Sequence, residues 1–188
     1  MPSADPGARS GAASPADVER WLTDLGLDPV DRAERDGIAS WDLVLDGRRR
    51  FDLRITVILD PPFALICWAH FAPPINDMFR KSYRKLLRWN DEFPFAKFSI
   101  GEDERPLLAV ELSMAEVAAA RDAGDGTELL GLALARIVGI ADRLLDDSAP
   151  WLWIGGRRPD QSDRVSRNPG FLDRYASTLE EFATEDGR

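Results

Sequence analysis

Residues 40–71 read SWDLVLDGRRRFDLRITVILDPPFALICWAHF, and their alternation decides the fold class. Trp41, Leu43 and Leu45 recur with the period of two that turns successive side chains to opposite faces of a strand. Gly47 and the three arginines at 48–50 interrupt the pattern as a polar turn, and Phe51, Leu53, Ile55, Val57 and Leu59 resume it. Asp60, Pro61 and Pro62 then break pairing before a third run, residues 63–71, apolar enough to be central or covered on both faces. Three adjacent strands joined by short turns make an antiparallel meander.

Outside this meander the period changes to that of a helix. Ser14, Pro15 and Asp17 have the form of a capped start, a hydroxyl at the N-cap and proline at the first helical position, with acids at the positive end of the dipole. Val18, Trp21, Leu22 and Leu25 follow at helical spacing until Gly26 stops the helix. Residues 28–37 are charge-rich and carry neither period. Beyond the third strand, Asn76 or Asp77 caps a second helix to about Asn90, with Phe79, Tyr83, Leu86 and Leu87 as its buried stripe. AKFSI and RPLLAVELS read as two further strands around the acidic turn at 101–104. Met114 starts a helical turn interrupted at 123–126, and Thr127 caps a long helix from Glu128 to about Asp146. The expected fold is therefore α+β, an antiparallel sheet of about five strands with helices packed on one face.

The element order, with LLRWNDEFPFAKFSIGEDERPLLAVELS from Leu86 to Ser113, resembles the YbjN family, whose fold is like that of type III secretion chaperones. The likeness rests on a helix ending in Asn90, a short aromatic link, the Lys97 and Phe98 pair, and an apolar strand after an acidic turn. It covers roughly residues 15–147. The resemblance implies helices against one antiparallel sheet and a sensory-regulator or chaperone-like adaptor role, with no catalytic residues to carry over.

Composition bounds the rest. The chain has 188 residues, 44% of them hydrophobic, enough for one domain with a working core. Residues 1–13 are expected to be a flexible tail, 14–153 a single α+β domain, and 154–188 an arm whose Phe171, Leu172, Tyr175, Leu179 and Phe182 allow a terminal helix. A net charge of −9 makes nonspecific nucleic-acid binding unfavourable. One cysteine, Cys67, excludes an intrachain disulfide and multi-thiolate zinc sites, so a reducing, cytoplasmic compartment is expected. No apolar run approaches the ~20 residues needed to span a bilayer.

The residues point away from catalysis. The single histidine, His70, lies three residues after Cys67, and an odd spacing on a strand sends the two to opposite faces. Gly155 and Gly156 beside Arg157 and Arg158 lack the lysine and spacing of a phosphate loop. No cofactor or metal is called for.

Two surfaces are candidates for binding. In the second helix Arg80, Lys81, Arg84, Lys85 and Arg88 place five cations within nine residues, away from the apolar stripe. Like charges at that spacing repel by about a few tenths of a kcal/mol per pair, so something acidic should compensate, either within the molecule or in a partner segment. The second surface is on the long helix, where Leu129, Leu132 and Ile140 extend the apolar face. Burial against another copy in a two-fold dimer, or cover by the C-terminal arm through Trp151, Trp153 and Phe171, would each use it. The functional expectation is a non-catalytic adaptor or chaperone-like module binding a protein segment. The alternative is a small-ligand sensor with a pocket between sheet and long helix, walled by Trp41 or Trp68.

Overall fold

A computed structural model describes residues 12–72, 74, 80–148 and 165–183, with the side chains of 80–82 and 146–148 excepted. Ser14 opens α1 (Pro15–Asp24) through a capping box: its hydroxyl accepts the Asp17 N–H at 3.3 Å, and the Asp17 carboxylate accepts the Ser14 N–H at 2.9 Å. Gly26, at φ 68°, turns the chain out of the helix.

The meander forms as its alternation requires, through β2 (Ile38–Leu45), β3 (Leu53–Asp60) and β4 (Ala64–His70). Trp41, Leu43, Leu45, Leu53, Ile55, Val57, Leu59, Leu65 and Cys67 all point into one buried face. β5 (Lys97–Ile100) and β6 (Pro106–Ser113) add to β4. The sheet has six strands rather than about five, because β1 (Asp31–Arg35) forms at its edge and pairs with β2. All neighbours are antiparallel, in the order β1-β2-β3-β4-β6-β5. Every residue of β1 is exposed, so no hydrophobic period marks it. Its signal is the Asp36–Gly37 pair, both at positive φ (53° and 80°), the two-residue turn that matches the twist of a hairpin.

The second half needs three corrections. Residues after Ser113 form a complete helix, α3 (Met114–Ala123), because Ser113 and Glu116 make a second capping box. The long helix α4 (Gly126–Ser148) starts one residue before Thr127, whose hydroxyl instead meets Asp24 at 3.2 Å. Glycine is required at 126 and at 131, since a Cβ there would overlap the Trp21 ring and the Tyr175 hydroxyl. In α2 (Arg80–Glu92) the buried residues are Leu86 and Trp89, whereas Leu87 is 68% exposed, so the stripe is rotated from the expected one. The expected cap at Asn76 or Asp77, and Phe79, lie outside the described residues.

α4 lies across the sheet against β4 and β6 and is flanked by α1, α3 and α6. The C-terminal segment forms two short helices, α5 (Pro169–Arg174) and α6 (Ala176–Glu181), and buries Phe171, Tyr175, Leu179 and Phe182 in the same core. Among the described residues every helix that touches the sheet serves its buried face. No helix is long and apolar enough to cross a membrane among those residues.

Candidate functional site

The outward face of α2 is set by what its inward face buries. Trp89 and Phe93 meet Phe98 of β5 at ring-centroid distances of 5.4 and 5.9 Å, and Phe71 closes the group at 5.7 Å from Phe98. Asn90 then locks helix to strand: its Oδ1 accepts the Phe98 N–H at 2.7 Å, and its Nδ2 donates to the Phe98 carbonyl at 3.3 Å. The amide thereby satisfies main-chain groups on the outer side of an edge strand, which would otherwise invite pairing with another chain.

With that face fixed, Arg84 and Arg88 are exposed, one turn apart, with Leu87 between them. Lys85 is half-buried, its ammonium 5.9 Å from the Trp89 ring centroid. Among the described residues none of these three cations makes an ion pair, although the chain is acidic and ion pairs occur elsewhere on its surface. Arg80 and Lys81 belong to the same helix, and their side chains are outside the described set. Three residues past α2, Phe95 is 86% exposed at φ 62°, a conformation costly for an aromatic residue.

The second expected surface is mostly consumed by packing. Ile140 is fully buried, Leu129 packs half-buried against the core, and Leu132 alone of the three is exposed, at 41%. α4 is covered on two sides, by the sheet and by the other helices, and its wide apolar face serves both. Trp151 and Trp153 lie outside the described residues, as do residues 155–158.

Of the two tryptophans offered as alternative walls of a pocket between sheet and long helix, only Trp41 lies on that side of the sheet. Trp41 is buried under the helices, whereas Trp68 faces the opposite side of the sheet. On that outer side a shallow concavity of 360 Å³ is lined by Ala33, Arg35, Ile38, Thr56, Ile58 and Trp68, among others.

Cys67 and His70 are separated as the strand period demands. Cys67 is fully buried, and burial pushes its thiol up to about 12, while His70 is exposed on the other face, its ring 5.8 Å from that of Trp68. Native protein is therefore expected to react with a disulfide reagent about a thousandfold more slowly than an ordinary thiol, from the loss of thiolate alone. Absorbance should report one reactive thiol per chain on unfolding and almost none before it. Rapid labelling of the native chain would contradict the burial.

A polar cluster that no local spacing announces lies at the β2–β3 turn. Asp142 of α4 accepts main-chain N–H groups from Arg48 (2.7 Å), Arg49 (3.3 Å) and Arg50 (2.8 Å). Desolvation raises its pKa, and those three hydrogen bonds oppose the rise. Burial also lowers the Arg50 guanidinium to about 10, countered by Asp142. Asn168 accepts from the Asp46 N–H at 2.8 Å and donates to its carbonyl at 3.0 Å, and Asp46 accepts the N–H groups of Asp52 and Arg167. The Asp142 carboxylate is occupied by backbone and faces Gly47, where a Cβ would overlap it. This is a clamp between turn, α4 and C-terminal segment, not a pair of acids facing substrate. Among the described residues no group of three or more His, Cys, Asp or Glu is placed to hold a metal.

A comparison with curated proteins returned no match. The model of the YbjN family, described as "Putative bacterial sensory transduction regulator", matches residues 14–152. That span runs from the α1 cap past the end of α4 and includes the Asn90–Phe98 lock, and this regulator family is not a known enzyme family. The match extends over well more than half of the sequence, and the chain belongs to the YbjN family.

Proposed function

We propose that the chain is a non-catalytic, chaperone-like adaptor that holds an acidic segment of another protein on the exposed face of α2, in a reducing cytoplasm and without a cofactor. The observation that carries this reading is the unpaired state, among the described residues, of Arg84 and Arg88 on a protein of net charge −9. Guanidinium groups one turn apart suit two carboxylates of an extended or helical segment, because each can take a carboxylate in a two-pronged hydrogen bond. Leu87 between them offers an apolar contact, so the segment best suited carries acids flanking an apolar residue. The buried Cys67 and the self-satisfied Asp142 remove the two most reactive-looking groups from consideration as catalysts.

The test is capture by the full chain beside an Arg84→Glu/Arg88→Glu variant, with quantitative mass spectrometry and titration of each captured protein. Losing two charge contacts is expected to weaken a genuine partner about tenfold or more, chiefly through association rate and salt dependence. Both residues are exposed, so thermal stability should be unchanged. Equal recovery by the two proteins would remove α2 as the binding surface.

A further inference from the structure

We infer that Phe95 is the apolar anchor of the α2 surface: the acidic segment held by Arg84 and Arg88 carries a further apolar side chain, a few residues from its acids, that packs on the Phe95 ring. The inference rests on the reading of α2 as a binding face and names what else its partner must carry. α2 ends at Glu92, and the chain turns into β5 through Phe93, Pro94, Phe95 and Ala96, with the Ala96 N–H donating to the Phe93 carbonyl at 3.2 Å. Pro94 takes the second position of this turn, where its fixed φ is suited, and Phe95 takes the third at φ 62°. Glycine or asparagine is the ordinary occupant there, because a Cβ crowds the backbone at positive φ. An aromatic side chain therefore adds strain that the turn itself does not require. Packing recovers little of it. Phe95 is 86% exposed, more than any other large apolar residue described, whereas Phe93 two positions earlier fills the core beside Phe98.

The position of the ring is nevertheless fixed. Arg136 of α4 donates to the Pro94 carbonyl at 2.7 Å, and its guanidinium carbon lies 5.7 Å from the Phe95 ring centroid and 5.4 Å from that of Phe182. One exposed cation–ring contact is weaker than the cost of holding an aromatic residue in the left-handed region, so the turn presents Phe95 to solvent at a net cost. Strain of this kind collects at sites that clamp a ligand. The location also says which partner can use it. Arg88 precedes the last residue of α2 by about one turn, and three more residues lead to Phe95, so the two Cα atoms are at most about 16 Å apart, the reach of about five extended residues. A segment whose carboxylates meet Arg84 and Arg88, complementary to them in charge, therefore passes within a few residues of the Phe95 ring.

Fluorescence anisotropy of the full chain tests this with labelled peptides in which two Glu stand one helical turn apart around a Leu, made in paired versions with Leu or Ser about five residues to either side of the acids. The Leu version is expected to bind wild type about tenfold more tightly than the Ser version, and Phe95→Gly should bring the two to equal affinity. Phe95→Leu should restore most of the difference. Because glycine suits the positive φ, Phe95→Gly is expected to melt at the wild-type temperature or a few degrees above it, so its weaker binding cannot come from a damaged fold. A Leu preference that survives in Phe95→Gly overturns the anchor. So does a lowered melting temperature, which would make the ring part of the packing. If Arg84→Glu/Arg88→Glu abolishes binding of both peptides and wild type shows no Leu preference, the anchor falls while the basic face stands. If neither peptide binds wild type, both fall.

Discussion

Asp142→Ala is expected to lower the free energy of unfolding by about 3–5 kcal/mol, a large share of the roughly 5–15 kcal/mol typical of a domain. Three main-chain N–H groups, those of Arg48, Arg49 and Arg50, lose their acceptor at once. A buried donor without a partner costs about 1–3 kcal/mol, and the methyl of alanine offers none of the three a substitute. The buried Arg50 guanidinium also loses the charge that offsets its desolvation. The effect should spread beyond the turn, since Asp46 and Asn168 tie the same region to the C-terminal segment. Urea denaturation checks the size of the loss.

The pH dependence has a definite sign. The pKa of Asp142 is raised in the fold, so the pH-dependent part of its contribution is fully present below the ordinary 3.8 and is lost as pH rises through the raised value, while its role as acceptor of the three N–H groups persists. The gap between wild type and Asp142→Ala should narrow over that window as pH rises. Asp17 and Glu116 act in the opposite direction. Their pKa values are lowered, Asp17 by Ser14 and Arg20 against desolvation and Glu116 by hydrogen bonds from Ser113, so their contributions are present above the ordinary carboxylate range and disappear on acidification. A gap that widened with rising pH would mean that the clamp favours the ionised form.

What could be read in advance follows from where the information lies along the chain. β2, β3 and β4 were legible because each buries one face, which writes a period of two into consecutive residues. β1 buries nothing, so its only trace was the Asp36–Gly37 turn. α3 carried its signal in Ser113 and Glu116, and the small, weakly patterned alanines after them concealed a full helix. In α2 the apolar spacing puts Leu87 in the stripe and leaves Trp89 out, whereas the fold exposes Leu87 and buries Trp89 in the space beside Phe71 and Phe98, which only the distant strand supplies. Ile140 is surplus for a helix with one covered side, but α4 has two, and the second buries it. The cations of α2 were legible because a charged face needs no knowledge of the rest of the fold. The clamp was not, since Asp142 reaches Arg48, Arg49 and Arg50 across 92 to 94 residues and Asn168 reaches Asp46 across 122, and no local spacing encodes those meetings.

Trp89→Ala should cost about 3–5 kcal/mol and, unlike Arg84→Glu, should reduce both stability and partner binding. The indole is completely buried and contacts Phe71 and Phe98, with ring centroids 6.1 and 5.4 Å away, so truncation leaves a void bounded by rings that cannot collapse into it. For a chain of this length each kcal/mol moves the melting temperature by about 2–4 °C, so a fall on the order of 10 °C is expected. α2 also depends on Leu86, Phe93 and the Asn90 amide for its position. Losing its largest anchor should therefore loosen the helix that presents Arg84 and Arg88, and amide exchange in α2 should rise more than in β2 and β3. Asn90→Ala separates the two contributions. It removes the hydrogen bonds to Phe98 but leaves the aromatic packing, and should cost only about 1–2 kcal/mol while exposing the outer edge of β5. If Trp89→Ala melted normally and bound its partner normally, the aromatic cluster would not be what orients the basic face. If it melted early yet bound as well as wild type below its melting transition, the binding surface would lie elsewhere than on α2.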